Sequence, residues 1–125
     1  MIERWNSGDH MGFVDGLGPD VEFSPDPSFP DAGTYRGEEF RQWIRDWVAT
    51  WKENRFEMLE VEEFERALLV DGRWHLVRHE SGADIPMEDF SIVYVFPDAT
   101  AERPHRMAVF FDRDQARDLA AGGTG

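Results

Sequence analysis

The sequence predicts an α+β fold: a cone-shaped, curved antiparallel sheet packed against N-terminal helices, with a short helix at the C-terminus. Three observations carry that prediction. Phe40, Trp43, Ile44, Trp47, Val48 and Trp51 recur at helical offsets, forming one continuous apolar stripe over EEFRQWIRDWVATWKE. From Arg55 onward the pattern changes to strands separated by turn residues. Helices and strands are therefore segregated along the chain, which favours an α+β arrangement over alternating βαβ units. A sheet curved and closed by helices in this way tends to enclose a pocket.

The elements follow in order. IERWNSGDHMGFVDGL reads as two short helices broken at Ser7-Gly8-Asp9, with Asp9 as the N-cap of the second. VEFSP is a short strand, and PDPSFPDAGTYRG is a Pro/Gly-rich loop. The long helix is expected from Glu38 to Glu53, with Glu38 and Glu39 opening it and Lys52 in its last turn, as the helix dipole prefers. LLV-DG-RWHLV has the Asp71-Gly72 pair of a two-residue hairpin, so one strand should end at Val70 and the next begin at Arg73. Turns near 81–84 and over PDATAERP lead into MEDFSIVYVF and HRMAVFFD. DRDQARDLAA then carries a capping box, Asp112 with Gln115 three positions on. We expect a single domain over residues 1–121 and a flexible tail over 122–125.

Composition narrows the function. Twenty-six acids against thirteen bases give a formal charge of −13, so nucleic acid and anionic membrane are poor partners. The absence of cysteine excludes disulfides, thiol catalysis and thiolate metal sites. No apolar run approaches a membrane span and no signal segment opens the chain, so a cytoplasmic protein is expected. Ten phenylalanines and five tryptophans can supply a large core or line a cavity.

Several segments resemble the SnoaL-like (polyketide cyclase-like) branch of the nuclear transport factor 2-like superfamily. RWNSGDHMGF is similar to the family's WN-x-GD-x-x-x-F opening. PDVEFSPDPSFPDAGTYRGEEFRQWI is similar to its first strand, loop and long helix, and AVFFDRDQARDLAAG to its last strand and closing helix. The resemblance spans nearly the whole chain in the right order, and implies the α+β cone and a dimer packed through the sheet. Family members carry another two or three helical turns before this opening. Here Trp5 is the fifth residue, which implies a later start or a shorter helical cover.

The resemblance also tests the site. The general-base position of the steroid-isomerase branch falls near Phe23, and its hydrogen-bond donor near Ile92. The epoxide-hydrolase branch has an Arg-x-Asp pair where this chain reads Arg78-His79-Glu80, and a last-strand Asp where it reads Val109. Three catalytic places are thus apolar. Strand alternation puts Trp74, Leu76, Arg78 and Glu80 on one face, inward by the resemblance. An inward Arg78–Glu80 pair, with Tyr94 beside it, is the polar constellation left for acid–base chemistry. The same pair also reads as a salt bridge at the cone mouth with no chemistry. Phe13, Phe23, Tyr35, Trp43, Trp47, Phe90, Ile92 and Val109 are the expected pocket lining.

His75 and His79 lie ~13 Å apart on a strand and cannot share one ion. The acidic run Glu60–Glu65 points its carboxylates to alternate faces, so no metal site is expected there; no cofactor is expected either. The outward set His75, Val77, Val93, Val95 and Phe110 is too apolar for open solvent and predicts a homodimer through the sheet face. The functional expectation is binding of a small, largely apolar ligand, with acid–base chemistry or, alternatively, as a non-catalytic binding or dimerisation module.

Overall fold

A computed structural model describes residues 5–17, 21–26, 33–78, 84–86, 90–98, 100–101 and 103–122, with side chains for all except 52–54, 78 and 84–86. In chain order the elements are α1 (His10–Leu17), β1 (Glu22–Ser24), β2 (Tyr35–Arg36) and α2 (Gly37–Thr50). Then come β3 (Trp51–Glu63), β4 (Ala67–Arg78), β5 (Asp84–Pro86), β6 (Phe90–Val95), β7 (Arg106–Phe110) and α3 (Arg113–Ala120). The sheet runs β2-β1-β7-β6-β4-β3, with β5 paired to β4. It is mixed and open: β1 lies parallel to β7 through Phe23↔Met107, and every other pairing is antiparallel. The α+β class therefore holds, and the expected all-antiparallel sheet acquires one parallel pair because β1 lies beside the last strand.

Two cores flank this sheet. On the inner face, Phe13, Val14 and Leu17 of α1 and Phe40 and Ile44 of α2 pack on Phe23, Phe56, Val70, Ile92 and Met107. On the outer face, Ala116, Leu119 and Ala120 of α3 cover Ala67, Leu69, Val93 and Ala108. The outward apolar set is thus partly used within the chain, since Val95 and Phe110 also pack against this second core.

The WN-x-GD segment has a job at every position. Trp5 is buried at 4% exposure. The Asn6 side chain donates to the Phe56 carbonyl (2.9 Å) and accepts from the Phe56 amide (2.8 Å), satisfying both backbone groups on the open side of edge strand β3. Gly8 sits at φ +96, ending the first turn, and Asp9 caps α1 by accepting from Gly12 N at 3.0 Å. At the other end Asp112 accepts from Asp114 N (2.8 Å) and Gln115 N (3.4 Å), as the capping pattern predicts. α3 is then tied to the sheet by Arg113–Asp71 (2.9 Å) and a two-pronged Arg117–Glu62 pair (2.7 and 3.1 Å).

Two boundaries differ from expectation. The long helix stops at Thr50, and Trp51 is already extended at φ −119, ψ 139. Trp51 nevertheless continues the stripe, because the chain reverses there and its ring still meets Trp47 at 5.6 Å. The Asp71-Gly72 turn does not exist: β4 runs straight through it, and the hairpin with β3 is closed at Phe64–Ala67. A Cβ on Gly72 would overlap the Phe56 ring and approach the Glu57 carbonyl to 2.8 Å, so this glycine is there for close packing. Arg73 to Arg78 pairs instead with Trp51–Glu57, and the bulge between Met58 and Glu60 lies opposite the expected turn. The expected turn near 81–84 lies outside the described residues apart from Asp84, which opens β5.

Candidate functional site

Between the helices and the inner face lies a cavity of about 50 Å³. Trp5 and Phe13 form its roof with Trp43, Ile44 and Trp47 of α2. Phe23 and Pro25 come from the β1 region, Phe56 and Trp74 from the β3–β4 pair, and Ile92, Met107, Val109 and Phe111 from the β6–β7 pair. None of these side chains is titratable. One water needs roughly 10–15 Å³ and two or more polar partners. The space could hold a few waters, but its wall offers them almost nothing to bond. An apolar void of that kind stays dry and favours apolar guests.

Ring geometry sets the shape of the wall. Phe23 stacks on Phe40 (4.7 Å, 13°) and meets Trp43 at 4.7 Å. Trp43 and Trp47 lie parallel at 5.7 Å and 8° on successive turns of α2, both part-exposed. On the floor Trp74 stacks on Phe90 (5.4 Å, 4°) and meets Trp5 edge-on at 5.4 Å. Such pairs contribute about 0.5–1.5 kcal/mol each beyond area burial. Trp5 Nε1 is buried with no hydrogen-bond partner among the described residues, an unmet cost of about 1–3 kcal/mol in the wall itself.

Of the residues singled out from sequence, Phe13, Phe23, Trp43, Trp47, Ile92 and Val109 line the cavity. Phe90 and Tyr35 do not; Phe90 lies behind Trp74, and Tyr35 is part-buried against the same core. Tyr94 is on the inner face, 7% exposed, but it packs in the core and does not reach the cavity. Burial pushes its phenol well above the usual tyrosine range, so it is a neutral hydroxyl at every physiological pH. Backbone position 78 closes β4 opposite Trp51, while the Arg78 side chain and the whole of His79 and Glu80 lie outside the described residues. His75 is exposed on the outer face, 3.0 Å from Glu57. Among the described residues no three His, Asp or Glu side chains gather to hold a metal ion.

Sequence reasoning missed Trp5, Pro25, Ile44, Phe56, Met107 and Phe111 as wall residues, and placed Trp74 inward without naming it as lining. Strand alternation could have found Phe56, since it faces Trp74 across the pair. It also missed Asp26, a carboxylate at 6% exposure that accepts from Phe111 N at 2.9 Å. That bond fixes the backbone of a wall residue from 85 positions away in sequence. A second group against the wall is His10, whose ring meets Trp5 edge-on at 4.5 Å. Burial lowers its pKa below 6.5, partly offset by Asp9.

The architecture matches solved structures over nearly its full length. A protein of unknown function from Burkholderia pseudomallei, described as NTF2-like, is similar at TM-score 0.72 and 22% identity, covering 95% of this chain and 90% of that one. This chain has the NTF2-like fold. TerC, crystallised with polyporic acid, is similar at TM-score 0.71 and 20% identity, over 95% of this chain and 91% of TerC. A candidate SnoaL-like polyketide cyclase from Mesorhizobium loti is similar at TM-score 0.62 and 16% identity, over 87% and 91%. No family model matches the sequence, and no curated protein matches it. Among the described residues no helix is long and apolar enough to cross a membrane.

Proposed function

We propose that this NTF2-like chain binds a small, largely apolar ligand in the cone cavity. The observation that carries this reading is a wall of aromatic and aliphatic side chains around space that water has no reason to fill. TerC, with its bound polyporic acid, supports a ligand in the same fold. At about 50 Å³ the cavity is smaller than the ~150 Å³ apolar void that takes up benzene. Entry of a ring-sized guest therefore requires Trp43 and Trp47, the part-exposed rings, to move. Toluene is the probe. It should quench or shift tryptophan fluorescence saturably, and Val109→Ala, which enlarges the void, should tighten binding about fivefold. Val109→Trp should abolish it. Toluene binding that ignores both substitutions would place the ligand elsewhere.

The enzymatic form of this reading assigns acid–base chemistry to Glu80, with Arg78 orienting it and Tyr94 as a hydroxyl donor. It is favoured by one feature: residue 78 follows Trp74 and Leu76 at period two on β4, and Trp74 lines the cavity. If Arg78 and Glu80 form a buried pair, Arg78→Ala costs about 3–5 kcal/mol by leaving one charge unpaired. Glu80→Gln keeps the shape and removes the proton site. Unchanged melting of Arg78→Ala, or turnover surviving in Glu80→Gln, argues for the non-catalytic binding module.

A homodimer is proposed on the part of the outer face that α3 leaves open. Arg55, Glu57, Arg73, His75 and Val77 occupy it, flanked by the exposed Met58 and Leu59.

A further inference from the structure

Arg36, Arg41, Arg45, Arg113 and Arg117 each reach a carboxylate. With 26 acids for 13 bases, that is the expected fate of a guanidinium on this surface. Arg66, Arg106 and the His105 imidazole depart from it, as Arg55 and Arg103 do elsewhere on the surface, and none of the three has a side-chain partner among the described residues. All three line one groove of about 480 Å³ at the end of the sheet farthest along β6. Arg66 is in the β3–β4 hairpin turn, Arg106 begins β7, and His105 immediately precedes it. Between them the groove is apolar, with Phe64, Val95 and Phe96 part-exposed and Leu119 beneath.

We propose that this groove binds an amphipathic carboxylate, a hydrocarbon tail bearing one anionic head. The apolar floor takes the tail, and the guanidiniums of Arg66 and Arg106, with five donors each in a planar fork, take the head. The volume falls in the range of small-molecule sites. Two features oppose an anion there. Glu65 is on the rim, and α3 ends in the groove with its carbonyl pole. The second is blunted, because Ala121 N and Gly122 N already bond the Arg117 and Leu119 carbonyls. Two guanidiniums outweigh one exposed carboxylate. This groove is separate from the cone cavity and shares no lining residue with it.

Octanoate, kept below its micellar concentration, is the test ligand on the full chain. Backbone amide shifts should saturate at Phe64, Val95 and Phe96. Octanol and octylammonium should bind about tenfold more weakly, and so should the Arg66→Gln/Arg106→Gln double variant, whose melting temperature should match wild type. Added salt should weaken octanoate binding. Equal affinity for octanol overturns the proposal, as does an absence of saturable shifts. Shifts centred on Phe23 and Val109 that ignore the double variant would put octanoate in the cone cavity, supporting that site and removing this one. A concentration-dependent rise in mass lost in the double variant would overturn it in favour of an acidic surface on a second copy.

Discussion

At Gly72 the inner face of β4 carries no side chain, and the Phe56 ring fills the space above its Cα. A methyl there must displace a ring that also forms cavity wall, so Gly72→Ala should cost about 1–3 kcal/mol through overpacking. Thermal melting measures the loss, and adding Phe56→Leu should restore part of it, since the smaller side chain vacates the clash. This residue also explains why the hairpin was misread. Asp-Gly is a strong turn signal when judged by its neighbours alone, and nothing local announces a ring arriving from the neighbouring strand, sixteen positions earlier in the chain. His10 gives a residue-scale prediction with a sign. Its folded pKa lies below 6.5, so the folded state resists protonation. Above pH 6.5 both states are neutral and His10 has no effect on stability. As pH falls below that value the unfolded chain takes up a proton first, and stability is lost until the folded-state pKa is reached. The difference in melting temperature between wild type and His10→Gln should therefore shift against wild type between pH 7 and 5. A constant difference across that window would mean the ring is solvated.

Elements show which signals were legible. α2 was plain from its stripe because helical period needs no tertiary information, yet its end was not, because Trp51 keeps the period while changing to extended backbone. The caps at Asp9 and Asp112 were equally plain, being local chemistry. The cavity lining was half legible: Trp43 and Trp47 follow from helical period, and Ile92 and Val109 from the family resemblance, whereas Trp5 and Phe111 depend on how distant segments fold back onto the sheet. α3 was read correctly as a helix but not as a cover. It lies over Val93 and Ala108, which are fully buried by it, so residues that suggested a partner subunit are served within the chain. Asp112→Ala should then cost about 0.5–2 kcal/mol through the lost cap. Truncation before Arg113 should do more. It bares a contiguous apolar face, and the shortened chain should bind a dye for exposed apolar surface and self-associate while retaining its β content by circular dichroism. A truncated chain that stays monomeric and dye-silent would show that α3 contributes little to covering the face.

For the whole molecule the governing quantity is a charge of −13 on a 14.5 kDa chain. Two such chains repel at long range, and the repulsion is screened over about 8 Å at physiological ionic strength. The open part of the outer face is of mixed charge: Arg55 and Arg73 sit beside Glu57, His75 is 3.0 Å from Glu57, and positions 53 and 84, both acidic, lie in register with Val77. A contact there buries Val77 between two copies that both carry a large net negative charge and push each other apart. Salt should therefore strengthen association, the reverse of an interface held by ion pairs. Sedimentation at micromolar protein should show mass moving from near 14.5 kDa toward twice that value as sodium chloride is raised. Val77→Glu should keep the chain monomeric throughout, because it adds a carboxylate to the middle of the contact without touching either core. Dimer that weakens with salt would assign the interface to charge pairing, and a monomer at every salt concentration would leave the β3–β4 face to solvent.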